Sequence, residues 1–524
     1  MKKYVMLLLF LGITAYSCDR SVLLEITLPQ IISGDTGIDL IENTGAGQTV
    51  YIIVATDNIE ITGYSLEGQD ADLLSLNNGV VSLDANPDFE MKSSYSFEVT
   101  ANDAIGNISE IKTVTFSIID VDESLPYVLE FCENGFAGIY PCNNYDLVGN
   151  IDLTTLGGNS GNDCWGWTDP DTGKEYALMG LNTGTSFIDI SDLEFPRIVG
   201  FLPTLTTNSS WRDIKTYGNY AFIVSEASGH GMQVFDLTKL RNIATNQPPE
   251  TFTSDAHYDG FGDAHNIVIN DTQGYAYAVG TNTYSGGPHF VDISNPLNPI
   301  AAGGYGEDAY SHDAQVVTYN GPDSDYTGKE ILIGSNQNEV VIVDVTDKAN
   351  PTQISAINYP NIGYTHQGWF TQDLNYFILG DELDERNFGG NTKNIVFDFT
   401  DLDAPSIHMN YFGPTTAIDH NGYVKGTDYY LANYSAGIRI VDVSNISNGT
   451  MTETGFFDTY PSNDNASFNG VWNVYPYFTS GNIIISDINT GFYIVRKRNL
   501  INEKIPTFFY HDNCYLLLQP RQRS

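Results

Sequence analysis

Basic residues are scarce in this chain: 23 Lys and Arg stand against 65 Asp and Glu in 524 residues, a formal net charge of −42. Such a balance repels phosphate backbones and anionic headgroups, so no nucleic-acid partner is expected and divalent cations are the natural counterions. The plainer alternative is that the acidity keeps an exported protein in solution. Cysteine is also rare, five residues with no CxxC pair, which argues against a metal–thiolate centre. The apolar run Val5–Ile13 is too short to span a bilayer. Neither HExxH nor GxSxG occurs, so neither a zincin-type metal site nor a serine nucleophile elbow is indicated.

What is present favours strands. There are 33 Tyr, 27 Phe and 49 Gly, with few segments carrying a helical apolar stripe, and the chain reads as all-β. Lys2 and Lys3 ahead of Val5–Ile13 and Thr14-Ala15-Tyr16-Ser17-Cys18 read as a secretory signal over 1–17. Cys18 is then a lipidation candidate, tethering the mature chain to a membrane by a lipid anchor only; ordinary signal cleavage is the alternative. In that exported setting Cys132 and Cys142, ten residues apart in a loop-like segment, are expected to form a disulfide.

One phrase recurs seven times: an apolar strand, an aspartate, then usually Ser or Thr and a turn. Its aspartates are Asp189, Asp236, Asp292, Asp344, Asp398 and Asp442, with Arg496 as a degenerate seventh; the spacings are 47, 56, 52, 54, 44 and 54 residues. That period with strand patterning predicts a seven-bladed β-propeller over 145–498. Six copies continue into a further strand and the seventh does not, so YDLVGNIDL at 145–153 is expected to supply the missing strand and close the ring. Each aspartate is expected to cap backbone N–H groups where its strand ends. Residues 22–124 alternate as a separate β-sandwich, 125–144 read as a linker carrying the cysteine pair, and 499–524 are an irregular basic tail.

The stretches NDCWGWTDPDTGKEYALMGL, SHDAQVV, THQGWFT, DHNGYVKG and ANYSAGIRIVDVS, in that order, resemble the LVIVD-repeat propellers of the choice-of-anchor B family of bacterial surface proteins. That resemblance implies a propeller and a membrane anchor and brings no biochemical activity. The preceding domain, through IENTGAG, VATD, PDFE, VTANDAIGN and DVDE, resembles a cadherin-like repeat. In cadherins the matching acidic residues hold Ca²⁺, which carries over to Glu42, Asp88, Glu90, Asp120 and Asp122; the alternative is acidic turns that end strands.

Four histidines sit at matching places, His265, His312, His366 and His420, each opening the first strand of its blade, 22 to 32 residues before that blade's aspartate. First strands line a propeller's channel, so these rings are expected to converge at its mouth. Trp165 and Trp211 are assigned the equivalent positions in blades one and two, with Asn469 near it in blade seven. Asp313 and Asp419 join the histidines as ligand candidates, with Asp163, Asp213, Asp263, Asp381, Glu382, Asp384 and Glu385 nearby. Imidazole and carboxylate together suit Zn²⁺, Mn²⁺ or Fe²⁺, a polar ligand, or acid–base work; repetition of a structural residue is the alternative. No organic cofactor is expected. The expected function is a surface-bound adhesion or recognition lipoprotein of a bacterial outer membrane, binding a surface protein or glycan. The second reading is a metal-dependent extracellular hydrolase or lyase.

Overall fold

The computed structural model describes residues 27–498, apart from 43–44, 90, 120–128, 193–195, 245–246 and 309. The expectations for the signal 1–17, Cys18, Glu90, Asp120, Asp122 and the tail 499–524 therefore lie outside the described residues. Regular structure is almost wholly strand, and the single α-helix among the described residues is Asp384–Phe388. The chain divides into two compact units, 1–123 and 124–524.

In the first unit, Ile61–Glu67, Ser94–Asp103, Lys112–Ile119 and Leu40–Ile41 form one sheet, and Gln48–Ile52, Val80–Leu83 and Leu74–Asn77 form another. Ser94–Asp103 alternates strictly between buried and part-exposed side chains, the two-residue period of a strand with one face on a core. Val50, Val81, Leu83, Phe97, Val99, Val114 and Phe116 fill the shared interior. Tyr95 stacks on Phe116 with ring centroids 4.8 Å apart.

Among the described residues the second unit contains seven sheets, numbered here in the chain order of their first strands: Gly161–Thr168, Arg212–Tyr217, Asn266–Asn270, Asp313–Thr318, Thr365–Phe370, Gly422–Lys425 and Val471–Tyr475. These first strands neighbour one another in cyclic order, and the seventh returns to the first. Polar side chains staple the ring. Asp163 accepts from Ile214 N (2.9 Å), Asp213 from Ile267 N (2.7 Å) and Gln367 from Gly422 N (2.9 Å), while Asn473 donates to Cys164 O (3.0 Å). Burial falls from the inside outwards, as packing sheet face on sheet face requires. Glu175–Leu181 is buried at every position, whereas the outermost Ser406–Phe412 is mostly exposed. Between sheets 4 and 5, Ile331, Ile333 and Ile342 meet Phe377, Leu379 and Phe397.

Tyr145–Ile151 pairs antiparallel with Gly491–Lys497, running from Tyr145 opposite Lys497 to Ile151 opposite Phe492, so sheet 7 takes its outer strand from the start of the unit. All six repeated aspartates cap as expected: Oδ1 of each accepts the backbone N–H two residues on, at 2.8–3.0 Å. Cys132 and Cys142 form the disulfide. The segment expected as a linker is more structured than its composition suggests. Phe136–Ala137 and Tyr140–Asn143 are strands, and Cys142 pairs opposite Phe457 at the edge of sheet 6. A two-residue strand and a strand containing Pro141 carry too little alternation to be read from sequence.

Candidate functional site

The four histidines come together. Their rings follow one another with centroids 4.2 Å (His265–His312), 4.4 Å (His312–His366) and 4.3 Å (His366–His420) apart, an arc across sheets 3 to 6. His312, His366 and His420 are buried, and His265 reaches partly to solvent beside Glu226. The backbone fixes which ring nitrogen is free. His312 Nδ1 donates to His366 O (3.1 Å) and His420 Nδ1 to Trp472 O (2.5 Å). A carbonyl only accepts, so the proton of each neutral imidazole sits on Nδ1 and Nε2 keeps its lone pair.

Glu382, on the turn after the second strand of sheet 5, projects to the Nε2 atoms of His366 and His420. Its carboxylate lies 3.8 Å from His366 Nε2 and 3.7 Å from His420 Nε2, and Tyr434 donates its hydroxyl to Oε1 at 2.7 Å. Donor atoms of His366, Glu382 and His420 lie within 4.8 Å of one another. A tetrahedral ion bound at about 2.0 Å holds its ligand atoms roughly 3.3 Å apart, so the set must draw together to close on an ion. His366 Nδ1 is buried without a hydrogen-bond partner.

Burial drives the electrostatics here. It lowers His366, reinforced by the charges His420 and His312 would carry, and lowers His312, reinforced by His265. His420 is held down at about 3, chiefly by burial. Glu382 is raised by burial, although Tyr434 opposes the shift. Neutral imidazoles beside a desolvated carboxylate are ready metal ligands, because no proton need leave nitrogen first.

The remaining expected residues are distributed differently. Trp165 packs on Tyr475 (5.0 Å) and Tyr423 (5.7 Å), with Lys215 Nζ 4.4 Å from its ring. Trp211 is 44% exposed. Since Ile214 and Ile267 receive matching staples, the position two residues before each matches too, and Arg212 rather than Trp211 stands where His265 stands. Trp472, not Asn469, holds that place in sheet 7 and meets the His420 ring at 4.9 Å. Asp163 and Asp213 clamp Lys215 at 3.4 and 2.6 Å, away from the arc. Asp313 accepts from Ala314 N (2.7 Å) and is raised to about 7 by burial and then by Asp213. Asp419 does not accompany His420: it faces Asp384 and Glu385.

In the first unit, Glu42 Oε2 accepts from Phe89 N at 2.9 Å, and Asp88 Oδ1 caps Met91 N at 2.8 Å. The loops bearing two of the calcium candidates therefore adjoin.

The LVIVD repeat family matches residues 210–229, 328–358 and 423–459. The chain thus carries LVIVD repeats, in an all-β frame. No curated protein matches the sequence. Among solved structures, a protein from Lactobacillus plantarum aligns at 13% identity over 65% of this chain and 93% of its own, with a TM-score of 0.42. A functionally unknown protein from Desulfotomaculum acetoxidans aligns at 14% identity over 59% and 89%, with a TM-score of 0.39.

Proposed function

We propose that this chain is an exported surface lipoprotein of the choice-of-anchor B kind. Its second unit is a seven-bladed β-propeller that binds through a transition-metal centre of His366, Glu382 and His420. The first unit serves as a cadherin-like, calcium-stiffened spacer, with Glu42, Asp88, Glu90, Asp120 and Asp122 as its ligand set and Cys18 as the lipid anchor. The observation that carries the reading is the convergence of two imidazole Nε2 atoms and one desolvated carboxylate, each from a different sheet or turn. Imidazole and carboxylate in this ratio suit Zn²⁺, Mn²⁺ or Fe²⁺. The cyclic order of first strands and the strand Tyr145–Ile151 support the propeller.

A partner presenting a carboxylate, or a glycan hydroxyl, would complete the ion's coordination from the solvent side, where His265 and Glu226 are partly exposed. The hydrolase or lyase reading rests on the same count of ligands. Three protein ligands leave a position for water, and His312 stands one ring away as a base. Metal analysis of the purified full chain, with Zn²⁺ titration of the native protein and of Glu382→Gln, tests the centre. One equivalent of Zn²⁺, lost in the variant, is expected; equal binding by both proteins would sink it.

A further inference from the structure

Behind the histidine arc lies a second cluster with a different chemistry. Asp384 and Glu385 open the short helix Asp384–Phe388, and Asp419 ends the approach to the first strand of sheet 6. One carboxylate oxygen from each lies within 4.8 Å of the other two, and all three residues are buried, at 4%, 5% and 0% exposure. We propose that Asp384, Glu385 and Asp419 form a calcium site, separate from the histidine centre and reached through the adjoining cavity.

Four observations carry this. Asp419 is fully buried, yet its Oδ1 has no hydrogen-bond partner, and Glu385 Oε2 is likewise unpartnered. Their other oxygens are held from behind, Asp419 Oδ2 by Asn394 Nδ2 (2.6 Å) and Asp381 N (3.3 Å), Glu385 Oε1 by Lys393 N (2.9 Å). The free oxygens are thus the ones left over by a rigid support. The spacing fits the ion: Ca²⁺–O bonds of about 2.4 Å place opposed ligand oxygens up to about 4.8 Å apart. Charge points the same way, since three carboxylates face one ammonium, Lys393, which pairs with Asp384. Finally, Asp384 and Lys393 line a cavity of about 550 Å³ with Tyr359, Asn391, Asn410 and Phe412, which supplies an entry path.

An oxygen-only set selects a hard ion, whereas the imidazoles of the arc select a borderline one. The test is thermal unfolding of the full chain after EDTA treatment, with CaCl₂ added back and bound calcium counted. The native protein should rise by several degrees in Ca²⁺, and Asp419→Asn and Glu385→Gln should each bind one equivalent fewer while Asp292→Ala, which removes only a turn cap, binds as much as native. Lys393→Met, which removes the competing ammonium, should enlarge the calcium-induced shift. Equal calcium stoichiometry in native, Asp419→Asn and Glu385→Gln proteins overturns the proposal. So does a Lys393→Met shift no larger than native, even if the carboxylate variants fold poorly. The histidine centre is read separately by Zn²⁺, so either result leaves it standing or falling alone.

Discussion

His420 and Asp419 are consecutive residues with opposite surroundings. One joins a line of imidazoles and the other a pocket of carboxylates, and the segment Asp381–Glu385 feeds both, Glu382 to the first and Asp384 with Glu385 to the second. The contrast teaches how a repeat acquires a site. The ring fixes where a first strand begins, the consecutive residues just ahead of it turn to different surroundings, and the segment Asp381–Glu385 loads each with different donors. Asp381 anchors the arrangement, accepting from Tyr359 OH (2.9 Å), Gly363 N (2.8 Å) and Tyr364 N (2.6 Å).

The comparison breaks most visibly if either centre is emptied. His366→Ala should abolish stoichiometric Zn²⁺ binding while leaving the calcium response at Asp419 intact; loss of both would mean one shared site. Next in size, Tyr434→Phe removes the hydroxyl that orients Glu382 and should weaken Zn²⁺ by about 10- to 100-fold, read by competition with a chelating dye.

Metal-free protein should then show two pH signatures of opposite sign. His420 titrates at about 3 in the fold against about 6.5 unfolded, so the unfolded chain binds the extra proton and stability falls as pH drops from about 6.5. Glu385, raised to about 9, behaves conversely: its contribution is full below about 4.3 and is lost as pH rises towards 9. Urea unfolding across pH 4–9 should therefore show His420→Gln blunting the acid limb and Glu385→Gln the alkaline one. Were both variants to flatten the same limb, the separation of the two clusters would be refuted. The smallest effect is expected at a repeated aspartate. Asp292→Ala removes one turn cap and should cost about 1 kcal/mol with no change in either metal.

Much of this was legible in the residues. The six capping aspartates, the disulfide and the pairing of Tyr145–Ile151 each depend on local chemistry or on counting strands, and a single sequence contains both. The four histidines were legible for the same reason. Asn469 was misaligned with them because the register shifts between Val471 and Asn473, so counting from the repeat drifts by a residue or more; the pairing that starts at Arg212 has no such shift, and Trp211 was simply one residue off. Glu382 was visible only as one acid among several, and its role depends on the helical turn that follows it. The division between Asp419 and His420 falls just ahead of the strand Gly422–Lys425, where strand alternation does not apply, and the residues alone did not show it. Tyr434 and Trp472 gave no motif at all: they act through ring contacts and one hydroxyl, which spacing does not encode.

The way sheet 7 is assembled sets a timetable for folding. Glu133 and Arg498, 365 residues apart, share an ion pair of 3.1 Å, and Tyr145–Ile151, bridged locally only where Leu147 meets Glu130, has no strand to pair with until Gly491–Lys497 has been made. Sheets 2 to 5 pair only within themselves and can form as they emerge, but the longest-range pairing must come last. Until then the edges of Gly491–Lys497 and Tyr145–Ile151 are open templates for another chain. The vulnerable moment of this protein is the interval between synthesis of residue 491 and closure, and a chain truncated before that point would be left with an unpaired edge.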